Sequence, residues 1–469
     1  GGRRILRSMD NPSLQFLGAA RSVTGSKVLL RSGGQEVLIE CGLFQGLKEL
    51  RQRNWEPLPM DPAKVDGVIL THAHIDHSGG LPRLIKQGYA GPVYCTPASQ
   101  ELLGLLLPDS GHLQEEEARY ANKEGFSKHS PALPLYTRED GEKALMQLRA
   151  VGYRKPFAAA PGIEAVVYPS GHILGAGFVE LRFAGRRVVF SGDLGGYSSE
   201  VMRGPDPLPD GLDAVLVEST YGGRKQDHRP IEEQLAESMA PALRRGGVVV
   251  IPAFAVGRTT VVLYHLRQLQ DSGRLPNVPV YVDSPMATDA VEIYVKYGHE
   301  HNLRVDLLKS PDDCPIRTRS TRLIKKAEDS KKLNEVDGPA IVISASGMAT
   351  AGRITHHLKR RLPDPKNLVL LVGFQAAGTR GRDLIEGKKS VKIHGEQIPV
   401  RAEVRAINGL SAHGDSDDIV KWLASAKVPP KKVFLVHGEN EALSAMSKRV
   451  GAELHLPFHV PDYMETVNL

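Results

Sequence analysis

The sequence predicts an α/β protein made of a strand-rich unit interrupted by a second unit of alternating strands and helices. Three observations carry this. Glycine-punctuated runs of alternating apolar and polar residues fill positions 13–40, as in consecutive short strands. The apolar run Val68-Ile69-Leu70 delivers the chain into a loop holding His72, His74 and His77, the position expected of ligands at the C-terminal edge of a sheet. From Pro230 onward helices and short apolar strands alternate, which predicts a mostly parallel sheet.

Taken in order, strands are expected at Leu14–Leu17, Val28–Leu30, Val37–Ile39 and Val68–Leu70, then a helix with Leu81, Leu84 and Ile85 after Ser78-Gly79-Gly80. Residues 99–150 read as polar helix, with Glu115-Glu116-Glu117 on an exposed face. Strands return at Val166–Tyr168, Phe178–Phe183, Val188–Phe190 and Leu212–Val217. In the second unit, Ile231–Arg245, Thr259–Gln270 and Ala287–Tyr297 read as helices. Gly247–Ile251, Val278–Val282, Ala340–Ser344 and Leu368–Val372 read as strands. The charged stretch 303–338 holds at least one helix. The last segment has a helix near Asp418–Ala426 and the strand Val433–Val436, which runs straight into His437-Gly438. The expected organisation is 10–222, an insertion over 223–400, and a return over 401–469.

A chain of 469 residues with 24% charged and 41% hydrophobic residues can bury full cores in several domains. No apolar run approaches the ~20 residues that span a bilayer. The longest, Val248–Val256, is broken by Pro252 and reads as a buried strand. The basic N-terminal segment lacks the apolar core of a secretory signal. Cys41, Cys95 and Cys314 are scattered and odd in number, which disfavours a disulfide framework and fits a reducing compartment; the expected location is cytoplasmic. The net charge is +6, and residues 223–400 alone carry 28 Lys+Arg against 20 Asp+Glu. The middle segment therefore holds the whole positive excess, as expected of a polyanion-binding surface or of ordinary solvated lysines.

The sharpest signal is His72-Ala73-His74-Ile75-Asp76-His77. Imidazole and carboxylate are a ligand set that suits zinc and leaves positions for water. As a purely structural feature, so dense a cluster would need partners for several desolvated polar groups. Four such side chains cannot all face one ion, but they can serve two. Further ligand candidates each follow an apolar strand and sit beside glycine: His172 in Ser170-Gly171-His172, Asp193 in Ser191-Gly192-Asp193, and His437 in Val436-His437-Gly438.

The order of HxHxDH, a strand-end His and a Gly-Asp resembles the metallo-β-lactamase superfamily. The resemblance implies a four-layer αββα sandwich. It also implies one zinc on His72, His74 and His172, a second on Asp76, His77 and a later histidine, taken as His437, and Asp193 bridging them. Glu218-Ser219-Thr220-Tyr221-Gly222, Ser411-Ala412-His413 and Val436-His437-Gly438 resemble the three motifs of the β-CASP class, whose insertion is an α/β domain. Ile251-Pro252-Ala253-Phe254-Ala255-Val256-Gly257-Arg258, Asp283-Ser284-Pro285-Met286-Ala287 and Ser346-Gly347-Met348 are similar to segments of its nucleases. A histidine in the third motif resembles the RNA-processing branch, which includes the cleavage and polyadenylation endonuclease subunit and its stand-alone bacterial and archaeal relatives. One departure stands out. The family's first motif usually carries Asp before Cys-Gly-Leu-Phe-Gln-Gly, and here Glu40 precedes Cys41-Gly42. That acid orients the ligand loop, so a longer side chain must shift the loop or change its hydrogen bond.

The resemblance implies a zinc-dependent ribonuclease with two Zn2+ per chain, acting on single-stranded RNA and mainly endonucleolytic. A homodimer is possible and no membrane partner is expected. Asp76, His413 and Glu218 are the catalytic candidates, with His413 as general acid and Glu218 as its orienting partner. The zincs are expected at the floor of a cleft beside the insertion. Ser344, Ser346 and Gly347 at a strand–helix junction could cradle a phosphate or form an ordinary glycine turn. Arg258, Arg353, Lys359, Arg360, Arg380 and Arg382 could track the RNA backbone. At 6% aromatic content, base stacking is expected to be minor. A thioester or lactone hydrolase, a DNA nuclease of the same superfamily and a non-catalytic RNA-binding scaffold are the competing readings.

Overall fold

The computed structural model describes residues 11–125, 130–227, 229–254 and 257–469. Residue 10, part of the 99–150 helical stretch, and Ala255 and Val256 of the Ile251–Arg258 segment lie outside them.

Two seven-stranded sheets form the first unit. In spatial order the first comprises Thr466–Asn468, Ser13–Gly18, Lys27–Ser32, Gln35–Ile39, Gly67–Ile69, Val93–Cys95 and Leu148–Ala150. The second comprises Phe458–His459, Val433–Val436, Ala214–Glu218, Arg186–Phe190, Gly177–Phe183, Ile163–Pro169 and Phe157–Ala160. Period-two alternation sends Leu14, Phe16, Val37 and Ile39 from one sheet, and Val179, Leu181, Leu216 and Phe434 from the other, into a shared core. Each sheet buries its second face under helices. Leu29, Leu38 and Val68 pack with Leu81, Leu84 and Leu102 of the helices Leu81–Lys86 and Pro97–Glu124. Val189, Val215 and Leu435 pack with Trp422 and Met446 of Ser416–Leu423 and Asn440–Glu453. The architecture is thus an αββα sandwich.

A third, wholly parallel sheet runs in the order Thr321–Ile324, Val280–Asp283, Ala340–Ser344, Val248–Pro252, Leu368–Leu371, Glu403–Ala406. Helices Ile231–Arg244 and Arg258–Asp271 cover one face, and Ile354–Arg361 covers the other. Its edge strand Glu403–Ala406 pairs with Leu368–Leu371, so the inserted sheet extends past the expected boundary at 400. The chain then returns to the sandwich, where Val433–Val436 lies parallel to Ala214–Glu218. That pairing places the ends of two widely separated strands side by side, and the candidate site is built on those ends. Among the described residues no helix is long and apolar enough to cross a membrane.

Candidate active site

The expected metal ligands lie just past strand ends of the sandwich: His72 and His74 after Gly67–Ile69, Asp76 and His77 in the short helix Ile75–Ser78 that follows, His172 after Ile163–Pro169, Asp193 after Arg186–Phe190, and His437 after Val433–Val436. The loop after Gly67–Ile69 is clamped from beneath by the segment at 41–43. Cys41 N–H donates to the His77 carbonyl at 2.8 Å, and Leu43 N–H donates to that of Ile75 at 3.0 Å. Gly42 is required there, because a Cβ would lie 1.6 Å from the Asp76 carbonyl oxygen. Gly192, at φ +53°, packs on Thr71, whose Oγ1 would be 2.4 Å from an added Cβ. This close approach brings Asp193 to the histidine loop.

The structure gathers these side chains into two groups sharing Asp193. One is His72, His74, His172 and Asp193, and the other is Asp76, His77, His437 and Asp193. His74 Nδ1 lies 3.1 Å from both His72 Nε2 and His172 Nε2. His77 Nε2 lies 3.1 Å from His437 Nε2 and 3.5 Å from Asp76 Oδ2. Asp193 faces both sets: Oδ2 is 3.4 Å from His72 and His172, and Oδ1 is 3.2 Å from His77. Ring nitrogens converging with lone pairs toward a common point repel unless a cation lies between them. Nitrogens on a tetrahedral zinc at ~2.0–2.1 Å are roughly 3.3 Å apart, close to these spacings. Asp193 Oδ1 is buried and has no hydrogen-bond partner among the described residues. The donor set and its orphaned oxygen fit metal ions. Burial, with neighbouring His72, pushes the His74 pKa down to about 3, whereas at His77 burial is outweighed by Asp193, Asp76 and Glu40 and the pKa rises well above the usual histidine value. Thr71 Oγ1 and Thr220 Oγ1 lie 3.0 Å from the outer nitrogens of His72 and His437. These hydroxyls orient the rings, and sequence reasoning missed them.

Glu40 is buried in the clamp. Its Oε1 accepts from Thr71 N–H at 2.9 Å, while Oε2 stands 3.6 Å from His77 Nδ1, beyond hydrogen-bond reach. Both of the latter atoms lack hydrogen-bond partners. The longer acid thus keeps the backbone contact and leaves the histidine contact loose.

His413 stands beside the ligand groups. Gly414 N–H donates to the Leu194 carbonyl at 2.7 Å, tying Ser411–His413 to the residue after Asp193. His413 Nδ1 lies 2.9 Å from Glu218 Oε1, and Nε2 lies 3.8 Å from Asp193 Oδ2. The Glu218 carboxylate is fully buried and fixed by two backbone donors, Leu194 N–H at 2.9 Å and Thr220 N–H at 3.1 Å. With Nδ1–H donated to Glu218, Nε2 is the nitrogen presented to the centre. Burial pushes the His413 pKa down, but Glu218 and then Asp193 more than offset this, and the net shift is upward.

The expected RNA-contact residues divide. Ser344 ends its strand buried, and its Oγ donates to the Asp283 carbonyl at 3.2 Å. Ser346 Oγ accepts from Thr350 N–H at 3.1 Å, closing the turn itself. Gly347 abuts Phe254, whose ring lies 5.6 Å from that of His74. This brings the turn, but not its serine hydroxyls, to the centre. The cations are largely committed within the protein. Arg353 donates to Asp283 at 2.8 Å and to the Lys325 carbonyl at 2.7 Å. Arg380 donates to the Lys392 carbonyl at 2.9 Å and to that of Ala349. Arg258 donates to the Val372 and Leu410 carbonyls. Lys359 pairs with Glu396, Arg360 with Asp337, and Arg382 with both oxygens of Glu439. Arg353, Arg380 and Arg382 therefore act as internal ties: carbonyls and carboxylates saturate the guanidinium faces a phosphate would need. Counting charge in the sequence could not reveal these partners.

The fold and the composite centre together define the class: the chain belongs to the β-CASP family of the metallo-β-lactamase superfamily, a family of metal-dependent hydrolases. A metallo-beta-lactamase superfamily model matches residues 23–253, a Beta-Casp domain model matches 259–384, and a Zn-dependent metallo-hydrolase RNA specificity domain model matches 397–461. Among its relatives, Ribonuclease TTHA0252 of Thermus thermophilus is 40% identical over 438 residues, covering 92% of this chain and 94% of that one. An RNase J-like protein of Methanocaldococcus jannaschii is 30% identical, covering 96% and 97%. Transcription termination factor FttA of Methanosarcina mazei is 31% identical, covering 100% of this chain and 74% of its own. A crystal structure of a protein of unknown function from Enterococcus faecalis V583 shares the fold, with a TM-score of 0.51 over 98% of this chain and 100% of that one at 12% identity.

Proposed function

We propose that this chain is a two-zinc ribonuclease that hydrolyses phosphodiester bonds of single-stranded RNA, mainly endonucleolytically. The observation that carries the reading is the shared Asp193 with the His413–Glu218 pair beside it. His72, His74 and His172 would hold one ion, Asp76, His77 and His437 the other, and Asp193 both. Bound zinc supplies a water acidified to a pKa of ~7 and neutralises charge on phosphoryl oxygens. The protein's own residues do the rest. Glu218 holds the His413 imidazole with Nε2 toward the centre and favours its protonated form. His413 then delivers the Nε2 proton to the leaving oxygen of the cleaved phosphodiester. Phe254 and Gly347 wall the centre from the insertion side and limit solvent access to the scissile group. The match to an RNA specificity domain and the named activity of the Thermus relative support RNA over other substrates.

The test is incubation of zinc-loaded protein with 5′-labelled single-stranded RNA, matched DNA and a thioester. Internal cleavage of RNA in preference to both others is the expected result. Intact RNA beside hydrolysed thioester would move the chain to the small-molecule branch, and preferred cleavage of DNA would reassign the polymer.

A further inference from the structure

With Arg353, Arg380 and Arg382 tied to carbonyls and carboxylates, free cations beside the centre must be sought elsewhere. They stand on the short helix Lys48–Arg53. Its approach is fixed on both sides. Gly42 and Leu43, a few residues upstream, lie against the Asp76 and Ile75 backbone. Gly46 and Leu47 then touch the insertion: a Cβ on Gly46 would lie 2.3 Å from the Ala377 carbonyl oxygen, and one on Gly378 would lie 2.5 Å from Leu47 N. Ala377 N–H in turn donates to Glu439, near His437, at 2.9 Å. The helix therefore begins one residue past the contact between the two units, on the segment whose upstream part packs under the ligand loop.

Helical spacing sorts its side chains. Arg53 faces inward, its guanidinium 3.8 Å from the Tyr463 ring centroid and 5.5 Å from that of Phe44. Asn54 pins the C-terminal end by exchanging hydrogen bonds with the Phe44 backbone at 2.9 and 2.7 Å. Lys48 and Arg51, spaced i and i+3, share an exposed face of the helix, and Trp55, in the turn that follows Arg53, is exposed as well. Among the described residues neither cation forms a side-chain hydrogen bond or ion pair; the carboxylate Arg51 senses is Glu117 of the helix Pro97–Glu124. Trp55 is 60% exposed, whereas the other tryptophan, Trp422, is fully buried. An exposed indole in the turn just past a helix that carries two cations without ion-pair partners, the helix end anchored from behind, combines the two elements that hold an unpaired strand: a stacking surface for any base and positive charge for its phosphates.

We propose that Lys48, Arg51 and Trp55 form the docking face for the single-stranded RNA flank that leaves the centre along this seam. Trp55 stacks on one base, and the two cations contact the backbone. The assignment rests on the ribonuclease reading and adds a contact region outside the insertion.

The test is a titration of tryptophan emission in the zinc-loaded His413→Ala protein, which keeps RNA uncut. The probes are a uridine dinucleotide and a long oligouridylate. Trp422 is buried, so quenching reports on Trp55. The long RNA should quench emission and the dinucleotide should not. Trp55→Ala should weaken long-RNA binding roughly 5- to 150-fold, the range of one base–aromatic stack. Replacing Lys48 or Arg51 by Ala should lower the slope of log K against log salt by about 0.7 each. Long RNA that binds tightly with unchanged emission, and equally well to Trp55→Ala, would overturn the docking face while leaving the ribonuclease reading intact. Emission that responds to protein concentration without RNA would overturn it in favour of a contact between two copies of this chain. Absence of RNA binding or cleavage by the wild-type protein would remove both readings.

Discussion

His413 and His172 lie 4.5 Å apart between ring centroids, yet their surroundings push them in opposite directions. Burial, then His413, holds the His172 pKa well below the usual histidine value. For His413, burial is outweighed by Glu218 and Asp193, and the pKa rises. A histidine with a raised pKa keeps its proton below that pKa and loses it as pH rises through it. Activity that depends on protonated His413 should therefore fall on the alkaline side. Glu218→Gln removes the first-named carboxylate, so the alkaline limb of kcat/KM should move to lower pH, which a pH–rate profile would show; an unmoved limb would remove Glu218 from this role. At Glu40, the buried carboxylate supports the ligand loop through Thr71 and stands near His77. Glu40→Gln should weaken zinc binding about 10- to 100-fold, measurable by competition with a chelator.

At the scale of elements, the strand Val280–Asp283 ends in a buried carboxylate that organises one face of the inserted sheet. Asp283 lies 2.7 Å from His357 Nε2, and accepts from Arg353 at 2.8 Å and Ser330 at 2.6 Å. Burial opposes its ionisation, but these donors more than compensate and the pKa is lowered. Its contribution is present above the unfolded carboxylate pKa of ~3.9 and is lost as pH falls through the lower folded value. Asp283→Asn should destabilise the insertion by about 3–5 kcal/mol near neutral pH, with the gap to wild type narrowing below about pH 4. Denaturant melts at two pH values would check this, and a constant gap would contradict it. Elements with continuous apolar runs, such as Ala340–Ser344, were legible because both faces of a parallel strand are buried. Thr321–Ile324 and Glu403–Ala406 escaped sequence reading because they are edge strands. Their partly exposed positions carry charge where a central strand would carry Val or Ile. The hairpin formed by Ser390–Ile393 and Glu396–Pro399 was hidden in the same way by exposed Lys392, Glu396 and Gln397.

Across the whole molecule, the cations expected to follow the RNA backbone are committed to contacts within the protein. Arg382 is the clearest case. It joins the insertion to the sandwich through both oxygens of Glu439, at 2.9 and 2.8 Å. Arg382→Ala should therefore loosen the seam, raising amide exchange at 375–379 and 437–439 well before global unfolding; unchanged exchange there would show that the seam holds without it. The candidate ligands were legible because His72, His74, Asp76 and His77 crowd one hexapeptide, while His172, Asp193 and His437 each follow an apolar strand beside glycine. Their grouping around Asp193 was not, since it depends on how two sheets bring positions 72, 193 and 437 together. Trp55 was overlooked because a lone aromatic in a polar stretch carries no periodic signal.

The most direct test of the two-metal centre flanked by a separate acid is zinc content measured alongside RNA cleavage for wild type, Asp193→Ala and His413→Ala. The account predicts two zinc ions per chain in wild type and in His413→Ala, with cleavage by the latter reduced about 10²- to 10⁴-fold. Asp193→Ala should lose zinc and activity together. Full cleavage by His413→Ala, or full zinc occupancy in Asp193→Ala, would contradict it.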